Sequence, residues 1–149
     1  METREKKRPA YYFRLKLYEA KTRYRDPNRV AELALARLEA KDFAGAEPLA
    51  RECLMLREGM IPDDWRTFNA RSLLGGSLLG QKKYAEAEPL LLAACDGLKQ
   101  RESKALAAPR KLRLQQTLER LAELYENTGR SALAANRREE IAGLVQAAK

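Results

Sequence analysis

The stretch Lys82-Lys83-Tyr84-Ala85-Glu86-Ala87-Glu88-Pro89-Leu90 decides the fold, because the chain contains its pattern twice. Forty-one residues earlier the order is Lys41-Asp42-Phe43-Ala44-Gly45-Ala46-Glu47-Pro48-Leu49. A basic residue, an aromatic ring, two further residues and then Ala-Glu-Pro-Leu recur in register. A degenerate third copy reads Gly129-Arg130-Ser131-Ala132-Leu133-Ala134. Self-similarity at a fixed period marks stacked supersecondary units, each too small to bury its own apolar face. In such chains function lies in a surface rather than in a catalytic cluster.

Working outward from that repeat, every long segment reads as helix. Phe13, Leu17, Ala20 and Tyr24 share one face at helical spacing. Asp26-Pro27-Asn28 breaks that helix and starts the next, whose stripe is Val30, Leu33, Ala34 and Leu38. Asp42 is placed to cap a partner helix running to about Arg57, closed by Gly59 and Pro62. Asp63 or Asp64 caps a third helix to about Gly80, and a fourth covers Tyr84 to Arg101. Pro109 suits the first turn of a fifth; Gly129 ends it and Ser131 opens the sixth.

These helices fall into three A–B pairs under one rule. Small residues stand where two helices cross closely: Ala46, Ala87 and Ala134 in the B helices, Ala34, Gly75 and Ala122 in the A helices. Leu33, Leu74 and Leu121 are the adjacent core residues, and Phe43 and Tyr84 fill the turns, with Ser131 a weak substitute. Pro48 and Pro89 are read as early B-helix residues, where a missing N–H costs least.

Composition agrees. The chain has 149 residues, enough for one domain or one short array. Hydrophobic residues make up 45% and aromatics 7%, with Leu and Ala dominant and the sheet formers Val and Ile scarce. No apolar run approaches a membrane span, and Arg14 and Lys16 interrupt the first apolar stretch, so no signal peptide or membrane insertion is expected. Cys53 and Cys95 lie in apolar helical segments and read as two free buried thiols, as in a reducing cytoplasm.

Charge is concentrated. Of a formal net +8, residues 1–25 supply +6, from nine Lys and Arg against three Asp and Glu. The basic residues of this arm are Arg4, Lys6, Lys7, Arg8, Arg14, Lys16, Lys21, Arg23 and Arg25. A block of that kind points to an acidic partner: protein, nucleic acid or membrane surface.

The paired pattern resembles the tetratricopeptide repeat over residues 28–147, and its period and Tyr-x-x-Ala-Glu-Pro-Leu signature are similar to the kinesin-light-chain type. The stretch LLGGSLLGQKKYAEAEPLLLAACDGLKQRE, Leu73 to Glu102, also resembles arrays appended to bacterial serine/threonine kinases of the planctomycete type, although His-Arg-Asp and Asp-Phe-Gly signatures are missing. The resemblance implies an all-α, right-handed solenoid: residues 1–27 form an N-terminal helix or cap, and 28–149 a three-repeat array. It also implies a groove lined by set positions of the A helices. By position these are Asn28, Ala31, Leu35 and Leu38; Asn69, Ser72, Gly76 and Leu79; and Gln116, Glu119, Glu123 and Glu126. Bacterial kinesin-light-chain-like proteins can accompany tubulin-like filaments, whose acidic surfaces would suit the basic arm.

Catalytic readings find little support. The chain has no histidine, which removes His-based triads, most zinc sites and the commonest general base. Two cysteines cannot alone make a structural zinc site. Glu119, Glu123 and Glu126 share a helical face and read as solvated. Gly75-Gly76-Ser77-Leu78-Leu79-Gly80-Gln81-Lys82 misses the phosphate-binding loop, since Gln81 stands where Lys is needed and the context is helical. Its glycines read instead as close-packing positions, with Gly76 widening the groove.

The expected function is a non-catalytic scaffold or adaptor for an acidic protein partner, without cofactor or metal, monomeric or weakly dimeric. Two alternatives stand. Tyr11, Tyr12, Phe13, Tyr18 and Tyr24 among the arm's cations could bind nucleic acid by phosphate contact and stacking, or the arm could cap repeat 1. The chain could also be a regulatory module split from a kinase.

Overall fold

The structure is a computed structural model and describes residue 10, residues 26–99 and residues 108–147. The expected N-terminal helix, and Arg101 at the end of the fourth, lie outside the described residues. Six helices are traced within them: α1 Pro27–Glu39, α2 Phe43–Met60, α3 Trp65–Gly80, α4 Tyr84–Lys99, α5 Ala108–Asn127 and α6 Ser131–Gln146. No strand occurs among the described residues.

Their starts follow from local chemistry. Asp26, Asp42 and Asp64 each turn a carboxylate onto a free amide of the first turn: Asn28 N at 3.0 Å, Gly45 N at 3.0 Å and Arg66 N at 2.9 Å. Asp64, not Asp63, is the cap of α3. The helix α2 runs on through Gly59 to Met60, beyond the expected end at Arg57.

The three A–B turns are one motif. Lys41, Lys82 and Gly129 are left-handed, with φ of 59°, 62° and 74°. In each, the next amide reaches back to the fifth residue before it: Asp42 to the Arg37 carbonyl, Lys83 to Leu78, Arg130 to Tyr125. The left-handed residue's own amide bonds three back, to Leu38, Leu79 and Glu126. This double bond pattern closes a helix and reverses the chain. Only Gly129 announces it by residue type.

Consecutive helices pack in sequence, and the A helices α1, α3 and α5 also touch one another. The B-helix backbones do not meet; ion pairs bridge them instead, Lys83 to Glu47 at 3.5 Å and Lys99 to Glu140 among them. Close packing on one side and charged spacing on the other leaves a shared face on α1, α3 and α5.

The crossing rule holds. Ala34, Ala46, Ala87 and Ala122 are fully buried and Ala134 nearly so. A Cβ on Gly75 would lie 2.7 Å from Leu91 and 3.5 Å from the Ala87 carbonyl, so α3 and α4 approach more closely than an alanine there allows. Around these contacts Leu78, Leu91, Leu98, Leu118, Leu121 and Leu124 are fully buried. Each stabilises the fold by about 1.5–3 kcal/mol relative to exposure. Cys53 and Cys95 are free and buried, and burial pushes both thiols up, so neither is a ready nucleophile at neutral pH.

Two expectations need correction. Leu33 is 39% exposed, whereas Leu74 and Leu121 are buried. Helices α3 and α5 have a preceding pair to cover that flank, and α1 has none among the described residues. Pro48 and Pro89 are each the sixth residue of their helix, past the amides that have no partner anyway. Each therefore removes an internal hydrogen bond. The cost is limited because Ala44 and Ala85, whose carbonyls are freed, are exposed to water.

Candidate functional site

The face shared by α1, α3 and α5 carries two adjoining hollows. The first, of about 270 Å³, is lined by Leu35, Leu38, Glu39, Phe43, Gly76, Leu79, Gly80, Gln116, Glu119, Arg120 and Glu123. The second, of about 180 Å³, is lined by Asn28, Ala31, Glu32, Leu35, Arg57, Trp65, Arg66, Asn69, Leu73 and Arg113. Leu35 belongs to both, so they form one groove along the three A helices. The periodicity explains the alignment: positions 28, 31, 35 and 38, positions 69, 76 and 79, and positions 113, 116, 120 and 123 each follow a helical stripe.

Ten of the residues inferred by position line the two hollows. Leu35, Leu38, Gly76, Leu79, Gln116, Glu119 and Glu123 line the first hollow, and Asn28, Ala31 and Asn69 the second. Leu79 contributes little surface, being only 4% exposed.

Two assignments fail. Ser72 is fully buried between α3 and α5 rather than in the groove. Thr117 donates to the Arg113 carbonyl at 2.8 Å, which leaves its oxygen to accept from the Ser72 hydroxyl at 2.7 Å. Arg120 in turn donates to Ser72 at 2.7 Å. The hydroxyls thus relay one polar chain through an apolar interface, each with a single proton to give. Glu126 turns away and pairs with Arg138 of α6 at 3.0 Å. The arm residues Arg4, Lys6, Lys7, Arg8, Arg14, Lys16, Lys21, Arg23 and Arg25 lie outside the described residues.

The groove also contains cations that its positional reading left out. Arg57, from the last turn of α2, is 4% exposed and donates to the Arg66 carbonyl at 2.8 Å and to Asn28 Oδ1 at 3.1 Å. Burial pushes its guanidinium below the usual value; Asp64 and Asp26 oppose that shift from nearby without forming an ion pair with it. Arg113 bonds only the neutral Gln116 Oε1, at 3.0 Å. Asn69 is 8% exposed, and its amide, which makes no hydrogen bond among the described residues, opens to solvent in the groove. Arg120 fills the space above Gly76, where a Cβ would meet its Nε at 2.8 Å. Burial pushes Arg120 down to about 10, which leaves it a cation at neutral pH. Two of these were legible from periodicity: Arg113 and Arg120 are in the stripe with Gln116 and Glu123. Arg57 had none, since it reaches the groove from a B helix.

The two ends differ in chemistry. Arg57, Arg66 and Arg113 sit toward the amino-terminal ends of the A helices, against Glu32, with Arg66 itself held by Asp64 at 2.8 Å. Glu39, Glu119 and Glu123 sit toward the carboxyl-terminal ends, against Arg120. Leucines lie between. This arrangement can bind through charge, amide donors and apolar contact.

Among the described residues, no group of three His, Cys, Asp or Glu side chains is placed to hold a metal ion. No helix among them is long and apolar enough to cross a membrane. No protein-family model matches the sequence, and neither curated proteins nor solved structures give a match to it.

Proposed function

We propose that this chain is a non-catalytic scaffold or adaptor, a right-handed tetratricopeptide-like array that holds an acidic segment of a protein partner. The observation that carries this reading is Arg113, whose one side-chain hydrogen bond goes to the neutral Gln116, beside the solvent-open Asn69 amide at one end of a leucine-lined groove. An incoming carboxylate would give Arg113 a charge-assisted hydrogen bond, stronger than the one it makes to a neutral amide. The basic block of residues 1–25 adds long-range attraction to the same sign of partner. A tubulin-like filament is one partner with such a surface.

Nucleic-acid binding is the second reading, favoured by the arm's interleaved cations and aromatic rings. Competition separates the two. A partner captured by crosslinking is bound to the full chain, and a mixed-sequence oligonucleotide is added at physiological salt. Under the adaptor reading, Leu35→Glu with Leu38→Glu speeds dissociation of the partner. Reversing Lys6, Lys7, Arg14 and Lys16 to Glu slows association and flattens its salt dependence. Complete displacement by the oligonucleotide, with the groove variants binding like the parent, would assign the function to the arm and to nucleic acid.

A further inference from the structure

We infer that the groove is bipolar and selects an extended partner segment with an acidic residue at one end, apolar residues in the middle and a basic residue at the other. This rests on the adaptor reading and specifies its ligand. The acidic residue is taken by Arg113, whose one side-chain hydrogen bond goes to the neutral Gln116, and by Asn69 beside it. Asn69 lines the hollow, and its amide, which makes no hydrogen bond among the described residues, opens to solvent there and can bond an incoming polar group. The amino-terminal ends of α1 and α3 point the same way, since helix dipoles favour negative charge there.

At the far end Glu39, Glu119 and Glu123 outnumber Arg120, and Arg120 is already tied to Ser72. That end favours a cation. Leu35 and Leu38 form the stretch between. Arg113 and Glu123 are ten residues apart on α5, and at 1.5 Å per residue the two ends are separated by about 15 Å. An extended segment covers about 3.3 Å per residue, so the acidic and basic residues should stand about four to five positions apart.

The test uses the full chain and nonapeptides acetylated and amidated at their ends, so that no terminal charge contributes. Each carries one Glu and one Lys flanking two Leu, with the Glu–Lys separation varied from three to seven positions. Fluorescence anisotropy should give tightest binding at four or five. Arg113→Glu should weaken that peptide about tenfold, as loss of a charge-assisted hydrogen bond does. Replacing the peptide Glu by Lys should restore binding to this variant. Glu119→Lys with Glu123→Lys, both at exposed positions, should lose the same peptide and recover one whose Lys is replaced by Glu. Arg138→Glu, outside the groove, should change nothing.

Affinity that ignores the separation, or charge variants without the reciprocal recovery, would overturn the bipolar assignment. If purely apolar peptides bind as well and Leu35→Glu removes them, the adaptor reading stands and this inference fails. If no peptide binds and an oligonucleotide does, both fail. Sedimentation of the same variants covers the remaining occupant: a dimer dissolved by Arg113→Glu would show that the groove holds a second copy of the chain, and would also overturn the inference.

Discussion

Replacing Lys82 with glycine should stabilise this protein, although glycine ordinarily weakens a helical chain. Lys82 is left-handed, with φ of 62°, where a Cβ crowds the following carbonyl. That conformation costs a non-glycine residue about 1–2 kcal/mol. Glycine removes the cost but gives the unfolded chain more freedom, which returns about 0.4–1 kcal/mol. The net gain is about 0.5–1 kcal/mol. Nothing is lost at the side chain, which is exposed and forms no ion pair among the described residues.

Lys41, with φ of 59° in the first hairpin, should behave identically, and the two turns share no partner, so their effects should add. The double variant should then raise the melting temperature by about 2–8 °C, at about 2–4 °C per kcal/mol for a chain of this size. Gly129→Ala is the opposite control. Its φ is 74° and a Cβ would touch nothing, so the whole loss is conformational and stability should fall by about 0.5–1 kcal/mol. Urea unfolding followed at 222 nm gives all three. A drop in midpoint for Lys82→Gly at constant slope would refute the shared-turn reasoning, because it would mean Lys82 is not left-handed in solution.

Ala87→Leu should destabilise by about 1–3 kcal/mol, since Ala87 is fully buried where α3 and α4 cross and its carbonyl already faces Gly75. A neutral urea midpoint would place the crossing elsewhere. Stability should also fall in acid. Hydrogen bonds from Arg37, Arg66 and Arg130 hold Asp42, Asp64 and Glu88 below the usual carboxylate range. Groups lowered on folding contribute fully above their unfolded values, near pH 4, and lose that contribution as pH falls through the lower folded values. Melting temperatures from pH 6 to pH 2 should therefore decline, and less steeply in Asp64→Asn; an unchanged slope would remove Asp64 from the account.

The elements and their pairing were legible in the residues alone. Aspartate caps, prolines at first turns and small residues at crossings are local or periodic signals, and chemistry within a few residues enforces them. Asp26, Asp42, Ala46, Ala87 and Gly129 were legible for that reason. The tertiary structure decided what depends on neighbours distant in the chain. Ser72 and Gly76 share a helical face, yet one is sealed against Thr117 of α5 and the other lies beneath the Arg120 side chain at the groove. Leu33 and Leu74 hold equivalent repeat positions, yet only the second has a preceding pair to cover it. The polarity of the groove was hidden for the same reason. Arg57 comes from a B helix and Arg113 from the next repeat, and their shared proximity to Asn69 exists only once three hairpins have stacked.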